Sequence, residues 1–277
     1  MKNPVAILVE SNDGAARVTL NRPHRRNAFD AGMVEELCRA FAELGRAPST
    51  RAIVLTGNGS AFCAGADIDW MRSGGTLSPS EVQQEAERLM KMFRAIDECP
   101  CPVIARIQGP AFGGGVGMVA ACDIAVAAGD ATFALSEVRL GMVPAVIAPF
   151  LLRKTGESFL RRFCLTGEPF SASAAKHGNL VHDVVERNQL DVRVDELVQM
   201  VLRLAPQAVR DTKGLLRRLL TLSDGERWGT CVEANVRARL SAEAQEGLRA
   251  FLERRAPVWT AISEEQGDPH DVARQRA

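Results

Sequence analysis

What most constrains the fold of this 277-residue chain is an arrangement that occurs twice: an apolar β-rich run that empties into a loop of glycines and small residues. Residues 51–56 (RAIVLT) run into Gly57-Asn58-Gly59-Ser60-Ala61-Phe62-Cys63-Ala64-Gly65-Ala66-Asp67, and residues 102–107 (PVIARI) into Gly109-Pro110-Ala111-Phe112-Gly113-Gly114-Gly115. These loops are too rich in Gly and Ala to be packed elements and too short to be linkers. Backbone N–H groups at such strand ends are free to point at a ligand. In the second loop Gly114 also opens a helical pattern, so the positive end of the helix dipole reinforces its N–H. Two such donors suit an enolate or oxyanion better than a neutral carbonyl. Taken singly, either loop reads equally well as a tight turn or a close helix-to-sheet contact. The triplet does not match G-x-G-x-x-G, and the P-loop Lys-Ser/Thr pair is missing, which argues against a dinucleotide or P-loop site.

The remaining pattern is strands alternating with helices. Residues 5–10 and 15–21 are β-rich and flank Ser11-Asn12-Asp13-Gly14, so the chain should open with a hairpin. Asp30 can cap a helix that places Val34, Leu37, Cys38, Phe41 and Leu44 on one face. Ser78-Pro79-Ser80-Glu81 has the chemistry of a capping box in front of Val82, Ala86, Leu89, Phe93 and Ile96. Short strands are expected at 124–128, 131–135 and 180–185, with helices at 190–204, 206–221 and 226–254 and a polar, mobile tail at 262–277. Irregular helix lengths between the strands fit neither a simple doubly wound sheet nor a barrel. The expected organisation is an α/β core over residues 1–200 and a helical region over 201–277.

With Lys+Arg and Asp+Glu equal at 34 each, no overall charge favours nucleic acid or a membrane surface as partner. The opening MKNPVAILVE is too short in its apolar run for a signal peptide, so a cytoplasmic protein is expected. The seven cysteines are scattered and odd in number, and read as reduced packing residues. His177 and His182 are five apart, a spacing that does not share a helix face, and no metal site is expected.

Ala61-Phe62-Cys63-Ala64-Gly65-Ala66-Asp67-Ile68, then Gly109 to Gly115, then Ala121-Cys122-Asp123-Ile124, is similar to the signature of the crotonase (enoyl-CoA hydratase/isomerase) family. Phe133-Ala134-Leu135-Ser136-Glu137-Val138-Arg139-Leu140-Gly141 and Leu165-Thr166-Gly167-Glu168-Pro169-Phe170 extend the resemblance over most of residues 5–186. It implies a spiral of ββα units with C-terminal helices that trimerise, giving a homotrimer or homohexamer. By the same resemblance, the N–H groups of Ala66 and Gly114 hold the thioester oxygen and Glu137 moves the proton. Ala64, Asp67 and Ile68 match the segment lining the adenine and pantetheine of coenzyme A, which belongs to the substrate rather than being a cofactor. Arg25, Arg26 and Arg254 are candidates for the CoA phosphates, and equally for solvated surface. A carboxyl following Phe133-Ala134-Leu135 can have its pKa raised toward neutrality, as acid–base work at the α carbon needs.

One position departs from the family pattern. Hydratases of this family carry a first glutamate that aligns with Gly117, two residues past the glycine triplet. Double-bond isomerases of the family manage with one glutamate at the Glu137 position. Asp67-Ile68-Asp69-Trp70-Met71 and the runs around Gly117 and Glu137 resemble the hydratases of branched, carboxylated esters, the methylglutaconyl-CoA and carboxygeranoyl-CoA enzymes of leucine and terpene breakdown. Three readings stay open: a hydratase using Glu137 alone, an isomerase using the same residue, and a non-catalytic acyl-CoA-binding relative. Trp70, Met71, Met92, Met142 and Phe150 are candidates for the acyl pocket, with core packing the alternative for each.

Overall fold

In the computed structural model, which describes residues 5–260, β1 (Ile7–Asn12) and β2 (Ala15–Leu20) pair antiparallel from Ile7↔Leu20 to Asn12↔Ala15. The turn is tighter than the four residues expected. Ser11 and Asn12 stay paired, and only Asp13 and Gly14 turn, both at positive φ (45° and 85°), which suits the strands' twist. α1 (Ala31–Arg46) starts where Asp30 accepts the Met33 N–H at 3.0 Å. β3 (Ala52–Gly57) is buried throughout.

A short α2 (Ile68–Ser73), not anticipated from the sequence, is capped by Asp67. α3 (Pro79–Asp97) begins on the expected capping box of Ser78 and Glu81. There follow β4 (Val103–Ile107), a two-residue β5 (Ala111–Phe112), α4 (Gly114–Ala121), β6 (Ile124–Ala128) and β7 (Thr132–Ala134). α5 (Ala148–Thr166) breaks at Gly156, whose φ of 75° and ψ of 168° are not helical. β8 (Phe170–Ser171), α6 (Ala172–His177), β9 (Asp183–Val185) and α7 (Leu190–Leu202) complete this part.

The large sheet has the order β1-β2-β3-β4-β6-β9, parallel apart from the opening hairpin. A second layer repeats that order in miniature. The stretches that follow β2, β3, β4 and β6 join through the bridges Phe29↔Ala66 and Cys63↔Ala111 and the pair β5–β7. Each turn of chain therefore lays one long strand in the large sheet and a short one beside it. The result is an α/β spiral of ββα turns with a helical C-terminal region.

The chain divides after Val198 into two compact units. The second contains α8 (Pro206–Leu219), α9 (Asp224–Leu240) and α10 (Ala242–Glu253). The single helix expected over 226–254 is two, because Ser241 (φ −69°, ψ 149°) is extended and its Oγ accepts the Ala244 N–H at 3.0 Å. Within this unit the Glu246 carboxylate is clamped by Arg249 and Arg255, each at 2.6 Å. The tail expected at 262–277 lies outside the described residues. Among these, no helix is long and apolar enough to cross a membrane.

Candidate active site

Both glycine loops arrive at one cavity of about 270 Å³. Phe62 N–H donates to Pro110 O at 3.0 Å and Phe112 N–H to Cys63 O at 2.9 Å, which zips the loops together. Gly65 sits at a φ of +90°, and a Cβ there would stand 2.9 Å from Phe112 O and 3.3 Å from the Gly114 nitrogen. Only glycine allows this approach. On the other side, Phe29 N–H donates to Gly65 O at 2.9 Å and Asp67 N–H to Phe29 O at 2.8 Å. Ala66, between these two bonds, keeps an N–H that meets no acceptor among the described residues. The Gly114 N–H, at the first turn of α4, is also without an acceptor among them. Both residues line the cavity.

Glu137 lines it too, as the first residue of a 3-10 turn, Glu137–Leu140, just past β7. Its Oε1 would lie 3.1 Å from a Cβ on Gly113. Its Oε2 is buried and has no hydrogen-bond partner among the described residues. Burial pushes its pKa above the ordinary carboxylate value. Two unsatisfied backbone donors and one partnerless carboxylate oxygen thus share an apolar hollow. Such a set can stabilise negative charge on a substrate oxygen and move a proton nearby.

Ala64 and Ile68 also line the cavity. Asp67, between them in the chain, is not among the residues lining the cavity. It is buried, its Oδ2 is 3.0 Å from Arg22 Nη2, and its Oδ1 caps α2 through the Asp69 N–H. Its carboxylate secures the loop instead. Arg25 is exposed and pairs with Asp69 at 3.0 Å. Arg26 is exposed, at a φ of 50°, and its carbonyl accepts the Ala64 N–H at 3.0 Å. Arg254 belongs to the second unit, at the left-handed C-cap of α10.

The aligned position of the missing glutamate has no room for a side chain. A Cβ on Gly117 would stand 2.3 Å from Ile147 Cγ2 and 3.0 Å from Phe93 Cε1. Of the acyl-pocket candidates, Trp70, Met71 and Met142 line the cavity, whereas Met92 and Phe150 pack in the core. Sequence reasoning missed Phe29, Ile147 and the row Glu85-Leu89-Phe93 on α3. Their four-residue spacing was legible, but not which way that helix face turns. It also missed buried Asn27, whose amide donates to Asn58 O and Ala61 O, each at 2.8 Å.

The family described as Enoyl-CoA hydratase/isomerase matches residues 10–262. The chain is 36% identical over 206 residues to enoyl-CoA hydratase AFT6-1 of Alternaria alternata, covering 74% of this chain and 67% of that protein. It is 33% identical over 246 residues to mevalonyl-coenzyme A hydratase sidH of Aspergillus fumigatus, covering 87% and 90%. The crystal structure of an enoyl-CoA hydratase from Shewanella pealeana superposes with a TM-score of 0.88 at 35% identity, covering 92% of this chain and 96% of that one.

Proposed function

The chain belongs to the enoyl-CoA hydratase/isomerase family, and from that premise we propose that it adds water across the α,β double bond of an enoyl-CoA, or removes it. The observation that carries this reading is the buried, partnerless Oε2 of Glu137 in the cavity that Ala66 and Gly114 line. Names of relatives such as AFT6-1 support hydration as the reaction. The thioester oxygen takes the N–H groups of Ala66 and Gly114. Water attacks the β carbon while ionised Glu137 accepts its proton, and the electron pair of the double bond moves onto the thioester oxygen as an enolate. The two N–H donors stabilise that charge, each contributing roughly 10²–10³ in rate. Protonated Glu137 then gives its proton to the α carbon, which leaves it ionised for the next turn.

The lining supports an uncharged, largely apolar acyl group, since Phe29, Leu89, Phe93, Met142 and Ile147 contribute to it. A carboxylated group of the methylglutaconyl-CoA type finds no Arg, Lys or His among the described lining residues. In this reading exposed Arg25 and Arg26 meet the CoA phosphates, with Arg254 of a neighbouring copy as a further phosphate contact. That unit trimerises the chain, once or as a pair of trimers. Its support is the exposure of Trp228, Leu240, Phe251 and Leu252, between 75% and 82% each.

Double-bond isomerisation is the second reading, favoured by the occupied space at Gly117, which leaves one carboxylate beside the donors. Glu137 would then take a proton from the α carbon of a 3-enoyl-CoA and return it at the γ carbon. The products separate the two: a gain of one water from a 2-enoyl-CoA supports hydration, and the appearance of the conjugated 2-enoyl thioester from a 3-enoyl-CoA at unchanged mass supports isomerisation. Under either reading Glu137→Gln lowers kcat by at least about 10²-fold. Unchanged turnover in that variant removes Glu137 from the mechanism.

A further inference from the structure

The cavity holds a second carboxylate that the reaction above does not use. α3 presents Glu85, Leu89 and Phe93 to it, four residues apart and so along one helix face. Phe93 marks the inner end: it is fully buried, and its ring lies 3.6 Å from where a Cβ on Gly114 would stand. Eight residues at about 1.5 Å of rise put Glu85 about 12 Å further along the helix. There the Trp70 indole N–H donates to Glu85 Oε1 at 3.1 Å, which orients the carboxylate and uses only one of its oxygens. No Arg, Lys or His among the described residues lines the cavity to neutralise it. At that separation along α3, Glu85 is not a substitute for the glutamate missing at Gly117.

Resting on the enoyl-CoA reading of this site, we propose that Glu85 is a specificity-determining residue, the polar end of an otherwise apolar acyl channel. It accepts a hydrogen bond from a hydroxyl carried far along the acyl chain and turns away acyl groups that end in a carboxylate. An extended chain spans about 3.6 Å per three bonds, so about ten bonds from the thioester carbon reach it. Hydrogen bonds to a charged acceptor are stronger than neutral ones, and two like charges brought close together repel.

The test is calorimetric binding of three saturated acyl-CoA thioesters of that length, ending in methyl, in ω-hydroxyl and in ω-carboxylate, to the wild type, Glu85→Gln and Glu85→Leu. The wild type should bind the hydroxyl ligand about tenfold more tightly than the carboxylate ligand, and more tightly than the methyl one. Glu85→Gln should raise affinity for the carboxylate ligand about tenfold, and Glu85→Leu should abolish the preference for hydroxyl over methyl. The same ranking in all three proteins overturns the assignment. Saturated ligands need no turnover, so hydration of crotonyl-CoA by the wild type, assayed separately, reports on the reaction alone. No hydration with the ranking as expected sinks the reaction and keeps this site; binding of none of the three ligands overturns both.

Discussion

At the scale of single residues, Glu137 carries its charge where the fold does little to stabilise it. One oxygen has no partner among the described residues, and burial raises its pKa. A carboxyl whose folded pKa lies above its unfolded value favours the folded state below the unfolded pKa, and that contribution is lost as pH rises through the folded pKa. Glu137→Gln is therefore expected to melt at a higher temperature than the wild type near neutral pH, with the gap closing below the ordinary carboxylate range. A melting series across pH checks this; a lower midpoint at neutral pH would show that the charge is stabilised after all. The hydration rate needs the ionised form, so kcat/KM should fall on the acid side with a midpoint above the usual carboxylate pKa. Gly65 is a second residue-scale constraint. Gly65→Ala places a side chain at a φ of +90° and pushes on Phe112 O and the Gly114 nitrogen. The expected cost is about 1–3 kcal/mol of stability, with a loss of roughly 10²–10³ in kcat as a donor is displaced. Denaturant melts and steady-state kinetics read both.

Among the elements, α4 is the one whose placement decides the chemistry. Its N-terminus supplies the Gly114 N–H, and at its other end Lys154 Nζ donates to Cys122 O and Val119 O, a cation on the negative end of the dipole. Seven of its eight residues, all but Gly114, are buried, so its sides are packed rather than available. Gly117→Glu would drive a side chain into Ile147 and Phe93, an overpacking that typically costs about 1–3 kcal/mol. Combining it with Ile147→Ala should recover part of the thermal midpoint. If the double variant melts no higher than Gly117→Glu alone, Ile147 is not the obstacle. α4 was legible as a helix from the glycine triplet onward, as α3 was from Ser78 and Glu81, because caps and φ preferences act over a few residues. α2 escaped because six residues carry too little periodicity, and its cap, Asp67, sits inside a loop of small residues.

For the whole molecule, the proposed assembly rests on the surface of the C-terminal unit. Phe251 and Leu252 are 82% and 80% exposed, adjacent and apolar. Light scattering on the purified protein is expected to give three or six copies, and Phe251→Asp with Leu252→Asp to shift it to smaller species. A monomer in the wild type would sink the trimer reading.

By itself the sequence determined most of the longer strands, the starts of α1, α3 and α4, and the two glycine loops from which the donors come. These depend on hydrophobic period, capping chemistry and backbone freedom, all properties of neighbouring residues. Only the tertiary structure decided that the loops following β3 and β4 meet at one cavity, through backbone bonds between stretches far apart in the chain. It also decided that Asp67 serves Arg22, that Ile147 fills the space at Gly117, and that Glu85 faces the cavity. Each of these is set by which side of an element turns toward a distant partner, and no local pattern encodes that direction.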